Sequence, residues 1–450
     1  MIDRLTWQQL HNAFHPARRL WGDEVDKYYV ARPYGPLDRL KTQLDVFNPT
    51  RILLFGHTGS GKSSELARLV EDEDIKEEFF IVWIDSERNL DIFDATQIEL
   101  LFLIGISIFQ IAAQGIPGGK EPNPEMQENL IACLETLVQT QTSDHEWKLD
   151  VNQLINNLII FGLGTAATLG NGAAAGLATA GLTQTGLDLI SSFTFKTGGQ
   201  RKEVRELEVR PEIHNILEAV NDIIADVEAK STKPLLLIVD GLDKFDLEQS
   251  KEFFIYTHVL NQITCRTVYV TPLALYYSAD FRQARERFHI EEFPNIALYP
   301  RDQRDVPIES NYDLFREVVQ RRIEPLGFSR NNLFAEDALN LLIQMSGGVM
   351  REFIRLVQNS LVEMHIAKAE QVIMAHAEEA VYRARRSFKA GLNVAHFEEM
   401  ENMLLTGTPS GTTACDDLLK NLYILSYINH AIWYDVHPNV LPLLIEWQQA

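Results

Sequence analysis

The feature that most restricts this chain is Gly56-His57-Thr58-Gly59-Ser60-Gly61-Lys62-Ser63, which fills every defined position of G-x-x-x-x-G-K-[ST]. It follows the apolar run Arg51-Ile52-Leu53-Leu54-Phe55 and precedes Ser64-Glu65-Leu66-Ala67-Arg68-Leu69-Val70, whose apolar spacing is helical. Strand, glycine turn and helix are the context a phosphate-binding loop needs. Gly56, Gly59 and Gly61 let backbone N–H groups approach phosphate oxygens, and the helix starting near Lys62 aims its positive end at them. Lys62 is expected to reach the β- and γ-phosphates and Ser63 to offer its hydroxyl to Mg²⁺. His57, Thr58, Ser60 and Ser64 complete the expected cradle for ATP and Mg²⁺.

The rest of the chain supplies a sheet for that loop. Phe79 to Ile84, ending at Asp85, reads as a strand, as do Pro234 to Asp240, Thr267 to Thr271 and the short run Ile296 to Tyr299. Helical patterns separate them. The alternation predicts an α/β fold: a P-loop NTPase parallel sheet with helices on both faces, followed by a helical lid and a winged-helix module. The expected divisions are an N-terminal helical arm over 1–45, the P-loop ATPase domain over 46–305 with an insert at about 105–210, the lid over 306–392 and the winged-helix-like module over 393–450. In the last module a helix is expected from Leu418 to Leu425, then a hairpin-like stretch Trp433 to Val436, then a final helix.

Phosphoryl chemistry also needs an acid at the end of a neighbouring strand to hold the metal shell. Asp240 fills that place, and Asp243 follows in Asp240-Gly241-Leu242-Asp243. No Glu directly follows Asp240, so slow hydrolysis suited to a switch is expected rather than fast motor action. Asp243 is the first candidate for activating water, with Asp85 or Glu87 as the alternative. Thr271, ending its strand before Pro272, is placed to hydrogen-bond water or the γ-phosphate. Arg351, opening a helix after Ser346-Gly347-Gly348, is placed to reach back to the phosphates. Of the cluster Arg282, Arg285 and Arg287, one could act in trans on a neighbouring subunit, and Arg287 is the candidate.

Taken together, the box Tyr28 to Pro33, the P-loop, the hhhhDGLDK stretch Leu236 to Lys244, the strand ending Thr271-Pro272 and the Ser346-Gly347-Gly348-x-x-Arg351 helix start resemble the AAA+/STAND group of P-loop ATPases. That group includes NACHT- and KAP-like members and the origin-recognition initiators. Trp433 to Pro438 resembles the closing Trp-Tyr-x-Val-His-Pro segment of bacterial STAND-like ATPases. The resemblance implies ATPase activity, nucleotide-controlled homo-oligomerisation, a partner or effector protein and, in many bacterial members, a role in conflict with phages.

Residues 151–187 carry no charge, and from Leu158 to Leu182 the chain is almost entirely Leu, Ile, Phe, Ala and Gly. This length matches a membrane-spanning helix, and KAP-like ATPases carry membrane segments between the same two motifs. Its many Gly and Ala residues equally suit a subunit or partner interface or a loosely ordered loop. Elsewhere the charge is strongly acidic, 41 Lys plus Arg against 63 Asp plus Glu, a net of −22. Most of such a surface repels a phosphate backbone, so broad nucleic-acid binding is not expected. The winged-helix segment with Asp416 and Asp417 against Lys420 suits protein contact better than DNA, although a DNA-associated regulator is retained as an alternative function. Cys133, Cys265 and Cys415 form no metal-binding spacing. No apolar stretch follows Met1 to Thr6, so a cytoplasmic placement is expected, with membrane association through 158–182 as the variant.

Overall fold

A computed structural model describes residues 3–32, 35–46, 49–92, 95–141, 210–301, 303–429 and 431–449. The segment 158–182 lies outside the described residues. Five parallel strands, β1 (Arg51–Phe55), β2 (Phe80–Asp85), β3 (Leu235–Asp240), β4 (Arg266–Thr271) and β5 (His289–Glu292), form one sheet in the order β2-β3-β4-β1-β5.

Strands β1 to β4 are largely apolar runs because both faces of the sheet are covered. Their side chains alternate between two cores. Leu53, Phe55, Val82, Ile84, Leu237, Val239 and Tyr269 enter one. Ile52, Leu54, Trp83, Leu236, Ile238, Val268 and Val270 enter the other, against the helices Leu37–Val46 and Lys62–Glu71. The first core is roofed by the helix Gln97–Gln114 packed on Arg210–Lys230 and Pro124–Gln141. Gln97–Gln114 opens with a capping box: the Thr96 hydroxyl accepts from the Glu99 N–H at 3.3 Å, and the Thr96 N–H donates to the Glu99 carboxylate at 2.7 Å. By length and composition this helix could cross a membrane, yet 67% of it is buried in the protein, as in a core helix.

Register sets the site. Asp85 lies opposite Asp240, and Phe55 lies between Thr271 and Glu292. The carboxyl ends of β1 to β4 thus form one rim, where parallel sheets bind their ligands.

Two sequence expectations need correction. Ile296-Ala297-Leu298-Tyr299 is not a strand. The fifth strand is the polar edge strand His289–Glu292. The apolar run instead leads into the lid, where the Ile296 N–H donates to Gly348 O at 3.2 Å and the Ile308 N–H to Leu298 O at 2.9 Å. The helix expected over Leu418 to Leu425 ends at Lys420, because Leu422 turns with φ +64° and Ile424 begins β6.

The lid comprises helices Glu309–Ile323, Glu336–Met345, Met350–Ile366 and Met374–Lys389, around Phe315, Leu342, Phe353 and Leu361. The last module is a winged helix: Val394–Thr406, Thr413–Lys420, an antiparallel hairpin of β6 (Ile424–Asn429) and β7 (Ala431–Val436), then Leu441–Gln448. The hairpin straddles two cores. Ile424 and Val436 join the sheet core, while Leu425, Tyr427 and Trp433 join the lid core.

Candidate nucleotide-binding site

The P-loop leaves β1 and turns at Gly59 (φ +84°) and Gly61 (φ +111°), which only glycine adopts without strain. A Cβ on Gly59 would lie 2.7 Å from Arg351 Cβ, so the lid sits directly on the loop. The Arg351 N–H donates to Gly59 O at 3.0 Å. Lys62 is buried at the first turn of the loop helix. Its Nζ lies 2.8 Å from Gly56 O, 2.9 Å from His57 O and 2.8 Å from an Asp243 oxygen. Lys62 therefore bridges the loop and the acid that follows β3.

The acids are arranged in a row. Asp85 and Asp240 end neighbouring strands and are 2% and 1% exposed, which makes their charges costly. Burial and the neighbouring Asp243 push the Asp240 carboxyl up to about 6, against the pull of Arg19. Burial would raise Asp243 too, but Lys62, helped by Lys244 and Arg351, holds it below the ordinary carboxylate range. Glu87 receives Arg19 at 2.7 Å and pairs with Lys244. Asp240 Oδ2, Asp85 Oδ1 and the Ser60 hydroxyl are buried without a hydrogen-bond partner.

A cavity of about 80 Å³ is lined by Gly59, Gly61, Lys62, Ser63, Ser64, Asp240, Asp243 and Arg351, and by His15 to Arg19 of the N-terminal arm. A second, of about 250 Å³, lies between Gly56, His57, Thr58, Asp243 and Pro272 on one side and the winged helix on the other. The structure thus brings the P-loop, Asp240, Asp243 and Arg351 together. Thr271 is fully buried with its hydroxyl 3.5 Å from Leu54 O and lines neither cavity. Arg287 donates to Thr257 O at 2.9 Å, and Arg282 and Arg285 lie exposed; none lines either cavity.

Sequence reasoning missed two contributors, Arg32 and Arg19, and the contact that a third, the cradle residue His57, makes with the wing. Arg32, inside the Tyr28 to Pro33 box, donates to Ser60 O at 2.9 Å and Pro294 O at 2.6 Å, and lies over the Phe293 ring. Arg19 bonds Asp85 and Glu87. His57, at an undefined motif position, is 2% exposed and joins the loop to the wing. Its Nε2 accepts the Ser426 N–H at 2.9 Å and its Nδ1 lies 3.1 Å from Leu419 O. One ring nitrogen accepts and the other donates, so the ring is neutral. Burial and Lys62 push His57 down to about 3, and burial does the same to His437 of the wing.

These histidines predict acid sensitivity. Their contribution to stability is complete above about pH 6.5 and is lost as pH falls towards 3, at about 1.4 kcal/mol per pH unit for each ring. The melting temperature should fall between pH 6.5 and 4.5, and His57→Gln should remove half of the histidine-linked slope. An unchanged slope in that variant contradicts the assignment of His57.

The residues suit Mg²⁺ held together with a nucleotide. Mg²⁺ takes one or two carboxylates and completes its shell with waters and phosphates. Asp240 offers a buried carboxylate oxygen beside Ser63. Among the described residues no group of three or more acidic, histidine or cysteine side chains forms a metal cage by itself.

No family model matches the sequence, and no curated protein matches it. Among solved structures the chain is similar to Cdc6p from Pyrobaculum aerophilum, at 11% identity, 98% coverage of each chain and a TM-score of 0.40. It is similar to the Aeropyrum pernix ORC1 protein in complex with DNA, at 11% identity, 97% of this chain, 96% of that one and a TM-score of 0.37. It is also similar to the Aeropyrum pernix ORC2 protein in ADPNP-ADP complexes, at 9% identity, 97% and 98% coverage and a TM-score of 0.41.

Proposed function

We propose that this chain is an ATP- and Mg²⁺-dependent switch of the AAA+/STAND kind, which hydrolyses ATP slowly, self-assembles and signals to a partner or effector protein. The supporting observation is that three separate parts of the chain grip the P-loop. Arm residue Arg32 bonds Ser60, lid residue Arg351 bonds Gly59, and wing residue Ser426 bonds His57. A nucleotide in the loop changes the surroundings of all three, so its presence reads out as their position. Bacterial antiviral defence is the setting the family resemblance suggests.

Bound Mg²⁺ would neutralise phosphate charge and polarise the γ-phosphate. The chain's own residues position and respond. Lys62 turns from Asp243 to the phosphates. Asp243, already ionised, is then freed as an acceptor for a proton from water. Arg351 senses the γ-phosphate from the lid. Steady-state turnover tests this: wild type should hydrolyse ATP slowly and only with Mg²⁺, and Asp240→Asn should lose about 100-fold. Turnover equal in both proteins removes Asp240 from the reaction.

A DNA-associated regulator is the second reading, favoured by one feature. Helix Met374–Lys389 of the lid gathers Arg383, Arg385, Arg386 and Lys389 in an otherwise acidic chain. Arg383 is already paired with Glu363 and Glu379. Salt-dependent retention on duplex DNA, lost in Arg386→Glu/Lys389→Glu, would establish that reading; retention by neither protein rejects it.

A further inference from the structure

Arg19 belongs to the N-terminal arm, far in sequence from the acids it meets. Its guanidinium bonds the Asp85 carboxylate and donates to Glu87 at 2.7 Å, and one nitrogen stands 3.6 Å from Asp240 Oδ2. That oxygen is buried, and the Ser63 hydroxyl lies on the same carboxylate. Beyond Arg19 the arm is anchored. Leu20 and Val25 pack on Ala67 of the P-loop helix, and Trp21 meets Trp83 of β2 edge-on with centroids 4.9 Å apart.

We propose that Arg19 is a built-in competitor of Mg²⁺: it holds Asp85 and Asp240 in the metal-free protein and leaves them when Mg²⁺-nucleotide binds, so that metal occupancy loosens the N-terminal arm. The inference rests on the nucleotide-binding reading above. Its basis is geometric. Mg²⁺ requires ligand oxygens at about 2.0–2.1 Å and an octahedral shell around them. A guanidinium nitrogen 3.6 Å from Asp240 Oδ2 and bonded to Asp85 occupies the space of that shell. Space gives the same answer. The cavity measures about 80 Å³, and Arg18 and Arg19 form part of its wall, whereas ligand pockets run to about 300 Å³ or more. A triphosphate with its metal enters once this wall moves. The arm then carries the news outward, because Arg19 and the Trp21–Trp83 contact belong to one short segment.

The test is a Mg²⁺ titration at fixed fluorescent mant-ATP, on the full chain, with wild type, Arg19→Ala and Arg4→Ala as a control on the same arm. Removing the competitor should lower the Mg²⁺ midpoint about tenfold in Arg19→Ala, the equivalent of one charge-assisted pair, and leave Arg4→Ala at the wild-type value. In parallel, hydrogen exchange of residues 18–28 in wild type should speed up with Mg²⁺-ATP and stay unchanged with ATP in EDTA. This measurement needs no variant to fold. Equal midpoints in Arg19→Ala and wild type, or an arm equally protected in both conditions, overturn the inference while mant-ATP binding itself still supports the nucleotide site. Absence of mant-ATP binding at every Mg²⁺ concentration overturns both.

Discussion

Lys62→Ala loses ATP binding by about 100-fold or more, and it also lowers the melting temperature of the ligand-free protein. The first effect is the loss of the cation that meets the β- and γ-phosphates. The second follows from the contacts made without ligand. Lys62 is 3% exposed and pairs at 2.8 Å with Asp243, whose carboxyl burial pushes up and Lys62 pulls down. Removing one partner of a buried pair leaves the other charge desolvated, at a cost of about 3 kcal/mol. Asp243→Asn added to Lys62→Ala should therefore restore the melting temperature and leave ATP binding absent. Isothermal titration and thermal melting separate the two effects. A double variant as unstable as the single one would show that Lys62 stabilises the loop through Gly56 and His57 instead.

Gly348→Ala should destabilise the protein by about 4 kcal/mol, among the largest effects of any single substitution here. Gly348 has φ +73°, and an added Cβ would stand 1.8 Å from the Ile296 carbonyl oxygen. The obstacle is backbone, which has no rotamer to move. Gly347, at φ +61°, is confined by a side chain instead: its Cβ would meet Leu425 Cδ1 of the wing at 2.4 Å. The pair is where the lid, the wing and the segment after β5 touch, one helix start away from Arg351. Denaturant unfolding of Gly348→Ala measures the cost, and a loss below about 1 kcal/mol would mean the contact relaxes freely. If the variant folds, its weakened ATP binding should exceed that of Gly327→Ala, since Gly327 ends a lid turn with nothing close to its Cβ.

The elements most readable from sequence were those whose chemistry is local. A P-loop is defined by residues within eight positions, and buried parallel strands announce themselves as apolar runs. Asp240 followed from its place at the end of such a run. The fifth strand did not, because His289-Ile290-Glu291-Glu292 pairs on one side only and has the composition of a loop. The run Ile296 to Tyr299 looked more like a strand because lid packing asks for the same apolar residues. The long-range contributors were hidden for a different reason. Arg19 meets Asp85 across 66 residues, and His57 meets Ser426 across 369. No spacing rule links such positions, and the motif leaves His57 undefined. Arg32 stood inside a recognised box, yet its function as a clamp on Ser60 appears only when the arm folds back on the loop.

Nucleotide in this one site is expected to change how the molecule associates. Mass photometry of the purified chain without nucleotide, with ATP and Mg²⁺, and with ADP tests it most directly, with Lys62→Ala/Asp243→Asn as the stable, non-binding control. Larger species are expected with ATP and Mg²⁺ in wild type and none in the control. A single unchanging mass for wild type in every condition would contradict it.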